Sequence, residues 1–263
     1  MPPAAHPGEV RFQRARVLFA LLLREMGTAF GKSAGGYFWA IAEPLGGILL
    51  LSIAFSLALR APPLGTSFML FYATGYIPYS TYRMVSGDVS SAVRSNRGLL
   101  SYPVVTTLDA VLSKCLFAAM TNFLVGLILF TAIILTLGQP VNLNLGEIML
   151  AFGLAVLFAL GIGTLNAVLF GFFPVWRSIW KILTRPKMIL SGVLFLYESV
   201  PPAFEDILWY NPLTHIIGLM RAGFYGGYDP QYISVPYVTG VSLALFLVGA
   251  YLLRRHSSAL IDP

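Results

Sequence analysis

Three ionisable residues stand where the surrounding sequence is apolar: Glu43, Arg83 and Lys114. A charge in hydrocarbon is costly, so such groups turn toward protein or water, pair with one another, and mark the paths of charged cargo. Together with Lys32, at the end of a basic helix, they are candidates for a gate that admits an anionic headgroup. An ion pair that only holds helices together is the plainer alternative. Tyr72, Tyr76, Tyr79 and Tyr82 recur at spacings of 4, 3 and 3 and so share one helical face. Rings in that order could line a sugar path by stacking, with Trp39 as a further candidate; helix packing or an interfacial belt is the blander use. Arg94-Ser95-Asn96-Arg97-Gly98-Leu99-Leu100, followed by Tyr102-Pro103, has the makings of a short helix with two cations, stopped by Gly98. Such a charged and apolar knob suits a groove on a soluble partner; an ordinary solvated turn is the alternative.

No enzyme chemistry is legible. H-E-x-x-H, G-x-S-x-G and C-x-x-C are missing, and the three histidines, His6, His215 and His256, lie far apart. His215 reads as a hydrogen-bonded structural residue. Gly27 to Ser33 imitates a phosphate-binding loop, but three residues rather than four separate Gly27 from Gly31-Lys32, and no buried strand precedes it. The single cysteine, Cys115, excludes an internal disulfide framework and a thiolate metal cluster. No cofactor or metal is expected in this chain.

The elements that must position these residues belong in a membrane. Of 263 residues 57% are hydrophobic and 11% charged, with mean hydropathy +0.77, whereas soluble domains carry about a quarter charged residues. The net charge of +6 fits cations held on the cytoplasmic side better than nucleic-acid binding. Arg11, Arg14 and Arg16 before Val17–Leu23 imitate a signal peptide, but Arg24-Glu25 end the run and no A-x-A site follows, so cleavage is not expected. Residues 9–34 instead read as an amphipathic helix with Phe12, Phe19, Leu23, Met26 and Phe30 on one face, suited to lie in the interface.

Spanning segments follow at Tyr37–Leu59, Ser67–Val85, Val111–Leu137, Ile148–Phe173 and Val235–Leu253. Between the last two the pattern breaks. Met188–Val200 is long enough for only about 20 Å of helix against about 30 Å of hydrocarbon. Pro201-Pro202 stops it, and the next apolar piece, Ile207–Phe224, is interrupted at Asn211-Pro212 and holds His215 and Arg221. Broken backbone at membrane depth survives only against protein or a water-filled cavity, so this stretch reads as the mouth of a translocation path. With the N-terminus inside, only Arg60 and Arg221 of the 17 basic residues fall outside. Full crossing of Ile207–Phe224 would strand Arg254-Arg255 outside, so that piece is expected to dip in and return. The expectation is an all-α integral membrane protein: six transmembrane helices, an interfacial helix within 1–34, a loop at 86–109, re-entrant helices within 201–230, and both termini cytoplasmic. Gly46-Gly47 and Gly161-x-Gly163 fit close helix approach.

Gly36-Tyr37-Phe38-Trp39-Ala40-Ile41-Ala42-Glu43-Pro44, Asn96-Arg97-Gly98-Leu99-Leu100 and Trp209-Tyr210-Asn211-Pro212-Leu213-Thr214-His215 with Arg221 stand in an order that resembles the permease of type-2 ABC exporters, of the KpsM-type capsular polysaccharide kind. With Leu23-Arg24-Glu25 and Phe30-Gly31-Lys32 at the end of the interfacial helix, the resemblance covers nearly the whole chain, with residues 35–263 as one transmembrane domain. It implies a homodimer of six-helix halves in the bacterial inner membrane, two cytoplasmic ATPase subunits that bind ATP and Mg, and a coupling helix at about Ala92–Leu100. It implies lipid-linked capsular polysaccharide as cargo, with a periplasmic adaptor and outer-membrane export proteins beyond. O-antigen and teichoic acid permeases share the plan. An ion-coupled secondary transporter through Glu43, Arg83 and Lys114, or a polytopic membrane enzyme on lipid-linked sugars, are the readings from other classes.

Overall fold

The computed structural model describes residues 7–30, 36–102, 104–138 and 142–261, and among these it is helical throughout, with no β-strand. Local chemistry sets the helix ends. Ser67 caps α3 (Phe68–Ser95) by accepting from the Leu70 N–H. Thr106 and Asp109 form a reciprocal capping box at the start of α5 (Thr107–Leu137), which Gly138 closes in the left-handed region (φ 62°). Asn144 opens α6 (Leu145–Phe172), and Ser234 opens α11 (Val235–Arg255) with Pro236 in its first turn. α1 (Pro7–Phe30), α2 (Gly36–Ala58) and the four-residue α4 (Arg97–Leu100) complete the N-terminal half.

Four of these helices, α2 from Phe38, α5, α6 and α11, are long and apolar enough to cross a membrane. The second expected span is different. α3 runs ten residues past Val85, to Ser95, about 42 Å in all. It sits at the centre of the bundle, against α2, α5, α6 and α10. A helix buried on most sides need not be greasy. Its buried Thr74, Ser80, Thr81 and Ser86 donate their hydroxyl protons back to carbonyls one turn earlier, which satisfies them without a partner helix.

Pairings give the directions. Phe55 meets Tyr72 and Glu43 meets Arg83, so α2 and α3 are antiparallel. Tyr82 stacks on Phe158 while Val89 backs onto Gly163, so α3 and α6 run the same way. Gly161 backs onto Ser242 and Leu165 onto Gly249, so α6 and α11 also run the same way. A Cβ at Gly161 or Gly163 would lie 2.6 Å from its neighbour, and small residues are what allow this closeness. Because α6 and α11 are parallel, the chain between them must return once to the opposite end of the bundle. α1, α4 and α12 (Ser257–Ile261) gather at one end: Glu25 of α1 pairs with Lys114 at the start of α5, and Arg97 donates to the Leu260 carbonyl. At the other end the Asn144 N–H donates to the Gly223 carbonyl.

The returning segment departs from the expectation. Residues 188–200 do not form one continuous helix: α8 (Lys187–Leu190) lasts one turn, Gly192 takes φ +76°, bends follow at 193–195, and Tyr197–Ser199 make a 3-10 turn. Helical hydrogen bonding is abandoned there because carbonyls at 193 and 195 are taken by a side chain instead. α9 (Pro202–Trp209) and α10 (Pro212–Phe224) then fall either side of Asn211, and nearly all of α10 is buried. Two elements went unforeseen. α7 (Pro174–Thr184) is strongly amphipathic and has no buried residue, and α12 is a separate turn after α11. Gly98 does not stop the short loop helix; it lies inside α4, and Asn96 is the interruption.

Candidate functional site

The broken junction is held by three side chains. Arg221, 1% exposed, donates from Nη1 to the Phe195 carbonyl (2.9 Å) and from Nη2 to the Val193 carbonyl (3.0 Å), with its guanidinium carbon 4.2 Å from the Phe71 ring centre. The cation thus satisfies carbonyls that no helix claims, and Phe71 contributes a cation–π contact in place of a carboxylate. Gly75 lets Val193 come this close: a Cβ there would lie 3.0 Å from the Val193 oxygen. His215 Nδ1 accepts from the Ser234 N–H (3.2 Å), so Nε2 carries the proton and donates to the Trp209 carbonyl (2.7 Å). Its ring sits among Trp209, Tyr232 and Tyr237. Asn211 caps α10 through Oδ1, and its amide donates to the Leu190 carbonyl (2.9 Å); Pro212 takes the first helical position, where no N–H is needed. Above them the Tyr228 hydroxyl donates to Glu198 (3.0 Å), and burial, then Tyr232 and the Glu198 carboxylate, push this phenol well above its usual range. Asn211, Pro212, His215 and Arg221 therefore come together as fasteners of backbone.

A cavity of about 520 Å³ opens between α3 and the α7–α8 corner. Tyr76, Tyr79 and Tyr82 line it, together with Arg83, Trp180, Arg185 and Lys187. Lys187 donates to the Tyr82 hydroxyl (2.7 Å) and lies 5.0 Å from that ring and 4.7 Å from the Trp180 ring. Tyr72, the first of the spaced tyrosines, is not part of the wall: it is fully buried between Phe55 and Phe71. Trp39 is exposed on α2, edge-on to Phe38, and also stands apart. The wall offers aromatic faces, phenolic hydroxyls and cations on one surface, which is chemistry for a sugar that carries phosphate.

The ionisable trio separates. Arg83 donates to Glu43 at the cavity rim, both about half exposed. Lys114 belongs elsewhere: it binds Glu25 of α1 (2.6 Å), well buried, beside Asn96, whose amide donates to Glu25 and whose oxygen accepts from Arg24. This cluster ties α1 to the ends of α3 and α5. Lys32 lies outside the described residues. Among the described side chains of α1, Leu21 and Glu25 are buried, while Phe19, Leu23 and Met26 are exposed; Phe12 and Phe30 of the expected face lie outside them. Arg94 and Arg97 line a second cavity with Arg177, while Gly98 is exposed and Leu99 partly so at the tip of the loop.

Sequence reasoning missed Glu25, Trp180 and Lys187. A signal existed for Trp180: Trp176-Arg177 and Trp180-Lys181 repeat at four-residue spacing within 174–184, the pattern of an amphipathic helix. Glu25 offered only its spacing of four from Leu21.

Comparison with known proteins gives the family. Over 92% of its length the chain is 29% identical to the polysialic acid transport protein KpsM of Escherichia coli, covering 94% of that protein. It is 28% identical to the capsule polysaccharide export inner-membrane protein CtrC of Neisseria meningitidis serogroup B, over 94% of this chain and 93% of the relative. To the O-antigen export system permease protein RfbA of Klebsiella pneumoniae it is 25% identical, over 87% and 92%. The family model for the ABC-2 type transporter matches residues 16–225, which span α1 through α10, and the chain belongs to that family.

Proposed function

We propose that this chain is the permease subunit of an ATP-driven exporter that moves lipid-linked capsular polysaccharide across the inner membrane. The observation that carries the reading is the cavity where Tyr76, Tyr79, Tyr82 and Trp180 share a wall with Arg83, Arg185 and Lys187. An unpaired sugar hydroxyl in hydrocarbon costs several kcal/mol, so a polymer needs hydrogen-bonding and aromatic walls along its way. The cations suit the phosphate of a lipid carrier, and Glu43, which neutralises Arg83 when the cavity is empty, is placed to release it to an incoming anion. Polysialic acid transport by KpsM and capsule polysaccharide export by CtrC support the cargo; the similarity to RfbA makes O-antigen the alternative on the same plan.

The chain in this reading crosses six times: α2, α3, α5, α6, the broken return 187–224, and α11. The parallel course of α6 and α11 supports a single return, with α9 and α10 dipping in from the outer side. Placing α1, α4 and α12 in the cytoplasm puts both termini inside and leaves Phe19, Leu23 and Met26 free to face lipid. Energy comes from two cytoplasmic ATPase subunits, which bind ATP and Mg; two copies of this chain form the conduit, and adaptor and outer-membrane proteins continue it. The ATPases meet the loop at Arg94, Asn96, Arg97, Gly98 and Leu99, with partly exposed Leu99 and exposed Tyr102 as its apolar tip.

The test is reconstitution of the full chain with its ATPase in sealed vesicles, followed by ATP-dependent transfer of lipid-linked polysaccharide. Transfer should vanish when residues 94–102 are replaced by a Gly/Ser linker, with the chain still inserted. Export by the chain alone, export driven by an ion gradient instead of ATP, or a carboxyl tail labelled from the outer side overturns the reading.

A further inference from the structure

At the end of the bundle that carries α4 and α12 there is a second cavity, of about 290 Å³, which adjoins the tyrosine-lined one at Gly87 and Ser90 of α3. That is well above the roughly 15 Å³ that a single water needs. Three guanidiniums line it: Arg94 near the end of α3, Arg97 in α4 and Arg177 in α7. Ser90 and Ser91 also line it, with their hydroxyl protons given to the Gly87 and Asp88 carbonyls, and Phe170 forms an apolar side with the Arg177 guanidinium carbon 5.4 Å from its ring centre. Among the described residues no carboxylate lies within ion-pair distance of any of the three. Arg97 spends one donor on the Leu260 carbonyl (3.2 Å), which draws α12 across the cavity and leaves its other N–H groups available. Leu260 itself is buried against Gly171, where a Cβ would collide with it, so α12 is seated and not merely adjacent.

Depth identifies the occupant. Phe170 and Gly171 are the last turn of α6, where an apolar span gives way to the amphipathic α7, so the cavity lies at the level of lipid headgroups and not in the hydrocarbon. Three guanidiniums with no carboxylate partner among the described residues and an apolar side at that depth match a phosphodiester with acyl chains leading into the adjoining bilayer. We infer that the Arg94–Arg97–Arg177 cavity is a binding site for the phosphate of an anionic phospholipid, and that its occupation fixes α4 and α12 relative to α6. This goes beyond the export reading and does not depend on the cargo. It gives Arg94 and Arg97 a lipid partner beside the ATPase contact proposed for them, while Gly98, Leu99 and Tyr102 at the loop tip remain for the ATPase alone.

The experiment uses the full chain purified in an uncharged detergent, with bound lipid read by native mass spectrometry. Phosphatidylglycerol, phosphatidylcholine and inorganic phosphate are the probes. Phosphatidylglycerol should be retained over phosphatidylcholine, and its retention should fall about fivefold or more for each of Arg94→Gln and Arg177→Gln, the effect of losing one cation near a lipid surface. Arg254→Gln, at the end of α11 and outside the cavity, should leave retention unchanged. If the glutamine variants do not fold, the Arg94→Lys/Arg177→Lys pair, which keeps charge without the fork, should retain the lipid severalfold less well; unchanged retention in that pair overturns the site. Equal retention of both lipids overturns it too. Saturation by inorganic phosphate at concentrations that displace the lipid overturns the lipid assignment in favour of a soluble anion. Variants that keep the lipid but no longer hold the ATPase assign the guanidiniums to an acidic partner surface and overturn it equally.

Discussion

The junction at 187–224 and the tyrosine-lined cavity beside it use the same residue types in opposite ways. At the junction a buried cation, a buried imidazole and a half-buried amide each bond to a backbone carbonyl that the broken helices leave without a partner. In the cavity the cations stand at the surface of a void, paired weakly or with phenol and indole rings. Polarity in the first place is architecture; in the second it is available to a ligand. Position in the sequence does not distinguish the two, since Lys187 of the cavity and Leu190 of the junction lie in one turn of α8.

Substitutions should separate the two regions by stability against transport. Arg221→Leu should be the most damaging: it strands two buried carbonyls at about 1–3 kcal/mol each, so about 3 kcal/mol of stability is lost, read as a lower unfolding temperature in detergent. Arg221→Lys should not restore it, because an ammonium lacks the planar fork that reaches both oxygens. His215→Phe keeps the ring but leaves the Ser234 N–H and the Trp209 carbonyl unanswered, and should cost about 2 kcal/mol. Lys187→Met should cost about 1 kcal/mol, the value of its bond to Tyr82, yet abolish ATP-dependent export in vesicles. Glu43→Gln should change stability by less than about 1 kcal/mol, since half-exposed pairs contribute little, while altering the apparent affinity for lipid-linked cargo. If Arg221→Leu were stable and Lys187→Met unfolded, the contrast would be reversed and the junction would be the better candidate for the cargo path.

Much of the bundle was legible because apolar length is a strong signal: α2, α5, α6 and α11 lie within a few residues of the expected spans. α3 was found but cut short, because Arg83, Asp88 and Arg94 resemble the end of a span when the helix simply continues into a polar setting. The segment 188–200 was recognised as too short to cross, yet read as helix, since nothing in its composition announces that Arg221 would claim its carbonyls from 26 and 28 residues away. The grouping of Glu43, Arg83 and Lys114 failed for a related reason. Partners along one apolar run could be listed from sequence, but Glu25 came from a helix assigned to the interface, and only the packing of α1 on α5 brings it to Lys114. Of the four spaced tyrosines, three share the cavity and Tyr72 does not, because the face rotates into the core at Phe71 and Phe55.

The glycines of α6 carry a mechanical consequence. With backbone against backbone at Gly161 and at Gly249, and Gly163 pressed on Val89, neither α3 nor α11 can slide along α6 without lifting off it. These three helices behave as a single keel. Rocking during a transport cycle must then fall to parts outside this keel, and α2, which presses Gly47 on Tyr76 and buries Ile48 at mid-length but meets Arg83 only through the half-exposed Glu43, is free to splay only at its Glu43 end.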